Sequence, residues 1–240
     1  MLSTFFHAVF YNPIYNILVF LVAILPGREV GLAVIVLTIL IRLVLLPFSL
    51  SAARSQRAMR VLEPKLQAIK EQYKDKKDEQ AAKTLELYRE EKINPFAPVL
   101  TLFIQLPVLL ALYWVFRFEP FTSLDTARLY AFTPIPHAIS NSLFGIIPTA
   151  SKSIVLAFLA GASQYLQAVL ALSNAPKTQG QGMQADFTKA MNMQLRYVFP
   201  LLIGVIAYST SAAIALYFLT SNIIGALQEQ YVRRTFTQSS

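Results

Sequence analysis

Apolar residues run along this chain in four long blocks, at 31–50, 99–116, 153–172 and 197–227, separated by stretches of different character. A bilayer core of roughly 30 Å takes about 20 apolar residues in a helix, so each of the first three blocks reads as one span. The fourth is too long for one. Its polar middle, Tyr208-Ser209-Thr210-Ser211, predicts a tight turn between two short spans. The fold class expected is all-α and integral to a membrane: five transmembrane helices, a cytosolic helical hairpin and an N-terminal interfacial helix. In chain order this gives an extracytoplasmic interfacial helix at 1–29, a first span at 30–50 and the hairpin at 51–97. A second span at 98–117, an extracytoplasmic loop at 118–152, a third span at 153–172 and a cytosolic loop at 173–196 follow. The fourth and fifth spans, at 197–208 and 212–228, lead to a cytosolic tail at 229–240.

Asn12-Pro13 reads as an N-cap and first helical position, and Pro26-Gly27 as a stop. The enclosed helix would rise about 20 Å, short for a crossing, with Tyr11, Asn12, Tyr15 and Asn16 gathered at its start. That pattern predicts a helix at the membrane interface, with a shortened, tilted span as the alternative. No Lys or Arg precedes the apolar run, as a secretory signal would require.

Between 51 and 94 the chain carries 11 Lys/Arg and 8 Asp/Glu. Met59, Leu62, Leu66, Ile69 and Tyr73 step by three and four, the seam of an amphipathic helix, with a kink expected at Pro64. After the turn Lys74-Asp75-Lys76-Lys77-Asp78, a second helix places Ala81, Leu85 and Tyr88 on one face, and Asn94-Pro95 ends it. Two antiparallel helices joined by a charged turn make a hairpin outside the bilayer. Basic residues also set the orientation. The hairpin segment has 11, the loop at 118–152 and its edges only Arg117, Arg128 and Lys152. Lys177, Lys189 and Arg196 lie in the third loop, and Arg233 and Arg234 in the tail. An N-terminus outside and a C-terminus in the cytosol satisfies them all. The loop at 118–152 mixes apolar runs, Tyr130-Ala131-Phe132 and Leu143-Phe144-Gly145-Ile146-Ile147, with Pro134, Pro136 and Pro148, which suits a cap on the outer bilayer surface. The Gln/Gly/Met-rich stretch at 179–183 reads as flexible.

Composition agrees: 55% hydrophobic, 14% charged and a mean hydropathy of +0.49, against about 25% charged in soluble domains. There is no cysteine, hence no disulfide, thiolate metal site or cysteine nucleophile, and the only histidines are His7 and His137. No metal or cofactor is expected, and no specific nucleic-acid partner for the net charge of +8.

Arg42 is the most informative residue. It lies inside the first span, where an arginine costs roughly 2.5–3.5 kcal/mol on insertion scales. No Asp or Glu falls inside the five spans; Glu119, Asp125 and Glu229 all lie beyond their ends. Water or uncharged polar groups must therefore solvate it. Thr38, one turn earlier, shares its face. Gln105 stands beside Leu106-Pro107, Gln164 and Gln167 share a face of the third span, and Tyr217, Thr220, Ser221 and Asn222 line part of the fifth. Converging, these faces would enclose a hydrated cavity. The alternative is that Arg42 snorkels to the headgroups while the glutamines hold helices together.

Several classes fall away. No HExxH motif is present, no carboxylate pair stands in the spans, and no His or Lys lies there to activate a serine. An enzyme is not expected. A small-anion transporter built on Arg42 is the rival reading, although five spans do not divide into inverted repeats. The other reading is a groove that receives polypeptide, attracting acidic client residues to Arg42 and drawing free energy from burial of the client's apolar helix. No nucleotide is needed, and no GxxxxGK[ST] occurs.

The sequence resembles the YidC/Oxa/Alb family of membrane protein insertases. The resemblance rests on Tyr11-Asn12-Pro13-Ile14-Tyr15-Asn16, on Leu37-Thr38-Ile39-Leu40-Ile41-Arg42 through Leu46-Pro47, and on Arg54-Ser55-Gln56. It continues in Val61-Leu62-Glu63-Pro64-Lys65-Leu66, Tyr88 to Asn94-Pro95, Ile104-Gln105-Leu106-Pro107, and Tyr217-Phe218 to Ser221-Asn222. It implies a passive insertase and chaperone of the bacterial cytoplasmic membrane, of the short kind without a large periplasmic domain. Arg42 would be the groove arginine, with Thr38, Gln105, Gln164, Gln167, Tyr217 and Asn222 around the client. The hairpin, through Met59, Leu62, Leu66, Ile69, Tyr73, Leu85 and Tyr88, would recruit clients. Nascent membrane proteins and the lipid bilayer are the implied partners, with the ribosome (through the basic tail) and the Sec translocon for some clients. Two departures stand out. The lipoprotein cysteine common in Gram-positive members is absent, and Ser209-Thr210-Ser211-Ala212-Ala213 replaces the family's Phe-Pro-Ala-Gly type of turn.

Overall fold

The computed structural model describes residues 2–94, 96–118, 121, 124–174, 190 and 192–237. The chain opens with one continuous helix: α1 (Leu2–Phe6), a π-helical turn (His7–Tyr11) and α2 (Asn12–Ile24). The start expected at Asn12-Pro13 is therefore corrected. In a regular helix Pro13 would clash with the carbonyl four residues back. The π turn relieves this: the Asn12 N–H bonds the His7 carbonyl, five residues back. The helix over Thr4–Ile24 is thus long and apolar enough to cross a membrane. Its partners include the helix over 30–44 and residues near and after the end of the helix over 97–118. Phe6 and His7 pack on Trp114, Tyr15 on Phe121, and Asn16 is bonded into 128–133.

After Gly27, at φ 73°, comes α3 (Val30–Val44). α4 (Leu46–Val61) follows at a bend of 60°. Pro47, in the first turn of α4, has no N–H for the Leu43 carbonyl, so the ladder breaks at Leu45. The axis therefore turns five residues before the boundary expected at Leu50. α5 (Glu63–Gln72) starts with Pro64 in its first turn, and α6 (Lys77–Glu90) returns antiparallel to it. Lys65 and Glu91 pair at 2.6 Å, and the Gln80 amide donates to the Lys70 carbonyl at 3.2 Å. Leu87, two turns from Gln80, is buried, whereas Leu85 is 46% exposed and Ala81 is exposed too. The face expected from Ala81 and Leu85 is corrected accordingly. Leu62 is buried, and Met59, Leu66, Ile69, Tyr73 and Tyr88 are half-buried, as an inward seam requires.

α7 (Ala97–Phe118) carries Pro107 inside it. The loop that follows holds a small antiparallel hairpin, β1 (Ser142–Leu143) on β2 (Ile147–Pro148). Then come α8 (Ile154–Asn174), a π-helical turn (Gln194–Val198), α9 (Phe199–Ser209) and α10 (Ala212–Thr237). The polar break expected at 208–211 is where α9 gives way to α10. The stretch at 179–183, with Lys177, Lys189, Glu119 and Pro95, lies outside the described residues.

The architecture is an all-α, multi-pass membrane fold. Ile154–Ser173 is a second helix of crossing length, and the bent pair α3 and α4 passes the same test jointly; Gln105–Phe118 and Gln194–Ser209 are shorter apolar helices. α10 sits centrally, packed on α8 and α3, while α9 packs on α8. Small residues permit this close packing. Ala212, Ala213 and Ala215 are fully buried, and a Cβ on Gly161 would meet the Pro200 carbonyl at 3.1 Å. Large apolar side chains point outward instead, among them Val44, Phe158 and Leu201 at 70–73% exposure, the pattern of helices solvated by lipid.

Candidate functional site

α3, α7 and α10 meet around Arg42. Its guanidinium is half-buried and donates from Nε (2.8 Å) and Nη2 (2.5 Å) to the Ser221 hydroxyl. One turn before Ser221 on α10, the buried Tyr217 hydroxyl accepts from the Gln105 amide of α7. Three helices thus contribute one polar layer inside the apolar bundle. Of the five N–H donors on a guanidinium, two are used here. No ion pair reaches Arg42 among the described residues. Among the described residues, no partner takes the other three N–H groups.

The other expected site residues divide. Thr38 is buried on the Arg42 face but gives its hydroxyl to the Val34 carbonyl of its own helix, at 2.7 Å. Asn222 is turned away, donating to the Ala160 carbonyl and the Ser163 hydroxyl of α8, both at 3.2 Å. Gln167 lies against α10, where a Cβ on Gly225 would meet its Nε2 at 2.3 Å. Gln164 is half-buried on α8, with no bond to the Arg42 group among the described residues. Arg42, Gln105 and Tyr217 therefore come together, while Asn222 and Gln167 join helices. The partner that sequence reasoning left out of the site proper is Ser221. Its signal was its place four residues after Tyr217, on the same helical face.

Away from this layer, Arg57 of α4 donates to the Arg233 carbonyl at 3.3 Å, joining the base of the helical hairpin to the end of α10. Among the described residues no group of three or more His, Asp or Glu stands close enough to hold a metal.

These features define a multi-pass membrane protein with a half-buried arginine between its helices and a charged hairpin at one end. The family model described as 60Kd inner membrane protein matches residues 20–239. The chain is 32% identical over 204 residues to the membrane protein insertase YidC of Fusobacterium nucleatum, covering 85% of this chain and 86% of that protein. It is 30% identical over 209 residues to that of Oceanobacillus iheyensis, covering 85% and 74%. Against that of Francisella philomiragia it is 32% identical over 208 residues, covering 86% of this chain and 33% of a longer protein. The chain belongs to the YidC/Oxa/Alb family of membrane protein insertases.

Proposed function

We propose that this chain receives nascent membrane proteins in the space around Arg42 and passes them into the bilayer without nucleotide hydrolysis. The observation that carries the reading is the half-buried Arg42 guanidinium, held by Ser221 alone among the described residues. A fixed, incompletely satisfied cation inside an apolar bundle attracts an acidic client segment and offers it charge-assisted hydrogen bonds. Hydration there shortens the apolar barrier such a segment meets. The client's own helix supplies the driving force on entering lipid, about 0.8 kcal/mol per buried CH₂. Gln105 and Tyr217 make the polar lining of the groove. Thr38 braces the helix that carries the arginine.

In this reading α3, α7, α8, α9 and α10 are the five spans, with the N-terminus outside and the C-terminus in the cytosol. The bias of Lys and Arg toward the hairpin segment supports it. The N-terminal helix lies along the outer surface rather than descending. Phe6 to Asn16 cover about 15 Å of helix, yet their partners are the end of α7 and the loop after it. The cytosolic hairpin α5–α6 recruits clients, with Leu85 its exposed apolar contact, and the bond from Arg57 ties it to the span that holds Ser221. Ribosome and Sec translocon engagement are part of the same proposal, the former through Arg233, Arg234 and the tail.

The test is reconstitution into liposomes with a ribosome-free, single-span client bearing a short acidic outer tail, scored by protease protection of the tail. Protection that requires the protein but no nucleotide is expected. Absence of protection across several clients, with flux of small anions through the same liposomes, would favour the transporter reading.

A further inference from the structure

The loop after α7 ends in a tip built at some cost. Leu143 to Ile146 form a turn, closed by the Ile146 N–H on the Leu143 carbonyl at 3.1 Å. Both central residues are left-handed, Phe144 at φ 52° and Gly145 at φ 67°. Glycine takes that conformation freely; a phenylalanine there is strained. The carboxylate of Glu29 holds the strained pair, accepting from the Phe144 and Gly145 N–H groups at 2.7 Å each. The side chains so presented are apolar and outward: Phe144 is 68% and Ile146 80% exposed.

The level of the tip is fixed by its neighbours. Leu143 packs against Gly31, where a Cβ would meet the Leu143 Cβ at 2.6 Å, so the hairpin lies beside the first turn of α3. The Thr149 and Ser151 carbonyls accept from the Ala213 and Ala212 N–H groups at the start of α10. Lys152 Nζ stands 5.8 Å from the Tyr208 ring at the end of α9, an aromatic and a cation of the kind that mark a membrane–water interface. The lipid-facing side chains Ile154, Val155 and Phe158 of α8 begin two residues further on. Among the described residues the exposed cations at this end are Arg28, Arg117, Arg128 and Lys152. Its described carboxylates, Glu29 and Asp125, are engaged with the turn and with Arg128.

The geometry points to a lipid-inserted wedge: Phe144 and Ile146, clamped by Glu29, enter the acyl boundary of the leaflet on this side, with the surrounding cations at its anionic headgroups. The occupant is lipid because the apolar tip stands level with the first turn of α3 and with the start of α8, where outward apolar side chains begin. The wedge holds the loop end of the bundle at a set depth. It is independent of what passes the Arg42 groove.

The absence of native cysteine gives a direct test. The full chain is reconstituted into vesicles of phosphatidylglycerol and phosphatidylethanolamine as Ile146→Cys, Phe144→Cys or the exposed loop control Ala138→Cys, each carrying a nitroxide. Labels at 146 and 144 should collide with oxygen more than with a water-soluble nickel chelate, and the control should show the reverse. Ile146→Cys sits at an unstrained position, so it reads the tip even if the change at Phe144 disturbs the turn. A label at 146 as open to the chelate as the control would overturn the wedge and leave the tip free for a soluble partner.

Discussion

Asn16 is 2% exposed and makes four hydrogen bonds. Its amide donates to the Asn12 carbonyl at 2.8 Å and the Arg128 carbonyl at 3.0 Å; its carbonyl accepts the Tyr130 N–H at 2.7 Å and the Thr133 hydroxyl at 2.9 Å. Three of the four cross from the N-terminal helix to the loop. Asn16→Leu keeps the volume near constant and removes all of them. A buried partner stranded this way costs about 1–3 kcal/mol. The Thr133 hydroxyl can turn to another acceptor, and Tyr130 lies toward solvent, so the sum comes to about 2–4 kcal/mol. At 1.36 kcal/mol per tenfold, the opening of the loop over 128–133 becomes roughly thirty to a thousand times more frequent. Amide hydrogen exchange in nanodiscs reads this directly at Tyr130 and at Thr133, whose N–H bonds the Tyr130 carbonyl at 2.8 Å. Unchanged exchange at both amides would refute the claim that Asn16 docks the helix to the loop.

Other outcomes are expected from the same contacts. Ser221→Ala takes from Arg42 its one described partner; a hydrogen bond to a charged group is worth about 1.5–3 kcal/mol, so thermal stability should fall while client insertion stays within a few-fold. Loss of insertion equal to that of an arginine deletion would instead make Ser221 itself a client contact. Gly161→Val presses a side chain onto the Pro200 carbonyl, which even a Cβ would meet at 3.1 Å, and should cost about 1–3 kcal/mol, read as a lower unfolding midpoint in detergent. In the helical hairpin α5–α6, burial raises the Tyr88 phenol above its ordinary value of 10.0. The neutral phenol is the form the fold favours, so its contribution is whole below that value and is lost as pH climbs through the raised one. In ultraviolet titration, Tyr88→Phe should remove a late-ionising step, and removal of an ordinary one would contradict the burial.

Block lengths and the charge run were enough to read an all-α membrane fold with a charged helical hairpin, because lipid forces apolar residues into long runs that no local contact can disguise. Finer features depended on tertiary partners. Asn12-Pro13 has the local chemistry of a helix start, and only the π turn that carries the helix through it cancels that signal. Leu85 has the spacing of an inward residue, but α6 buries Leu87 instead and leaves Leu85 exposed. The left-handed Phe144 was invisible to propensity, since its support comes from Glu29, more than a hundred positions earlier. In the candidate site, Arg42 stood out because no acid in the expected spans answers it. Choosing among Ser221, Asn222 and Gln167 required the helix rotations, which a run of polar residues at adjacent positions does not encode.

The central claim is that the positive charge of Arg42 draws acidic client segments into the bundle. It is tested most directly by reconstituting wild type, Arg42→Ala and Arg42→Lys and measuring protease protection of one single-span client with an acidic tail and of its neutral-tailed counterpart. The account predicts loss of protection of the acidic tail in Arg42→Ala, its retention in Arg42→Lys, and a smaller effect on the neutral tail. Equal protection of the acidic tail by Arg42→Ala and wild type, with the variant folded and inserted, would contradict it.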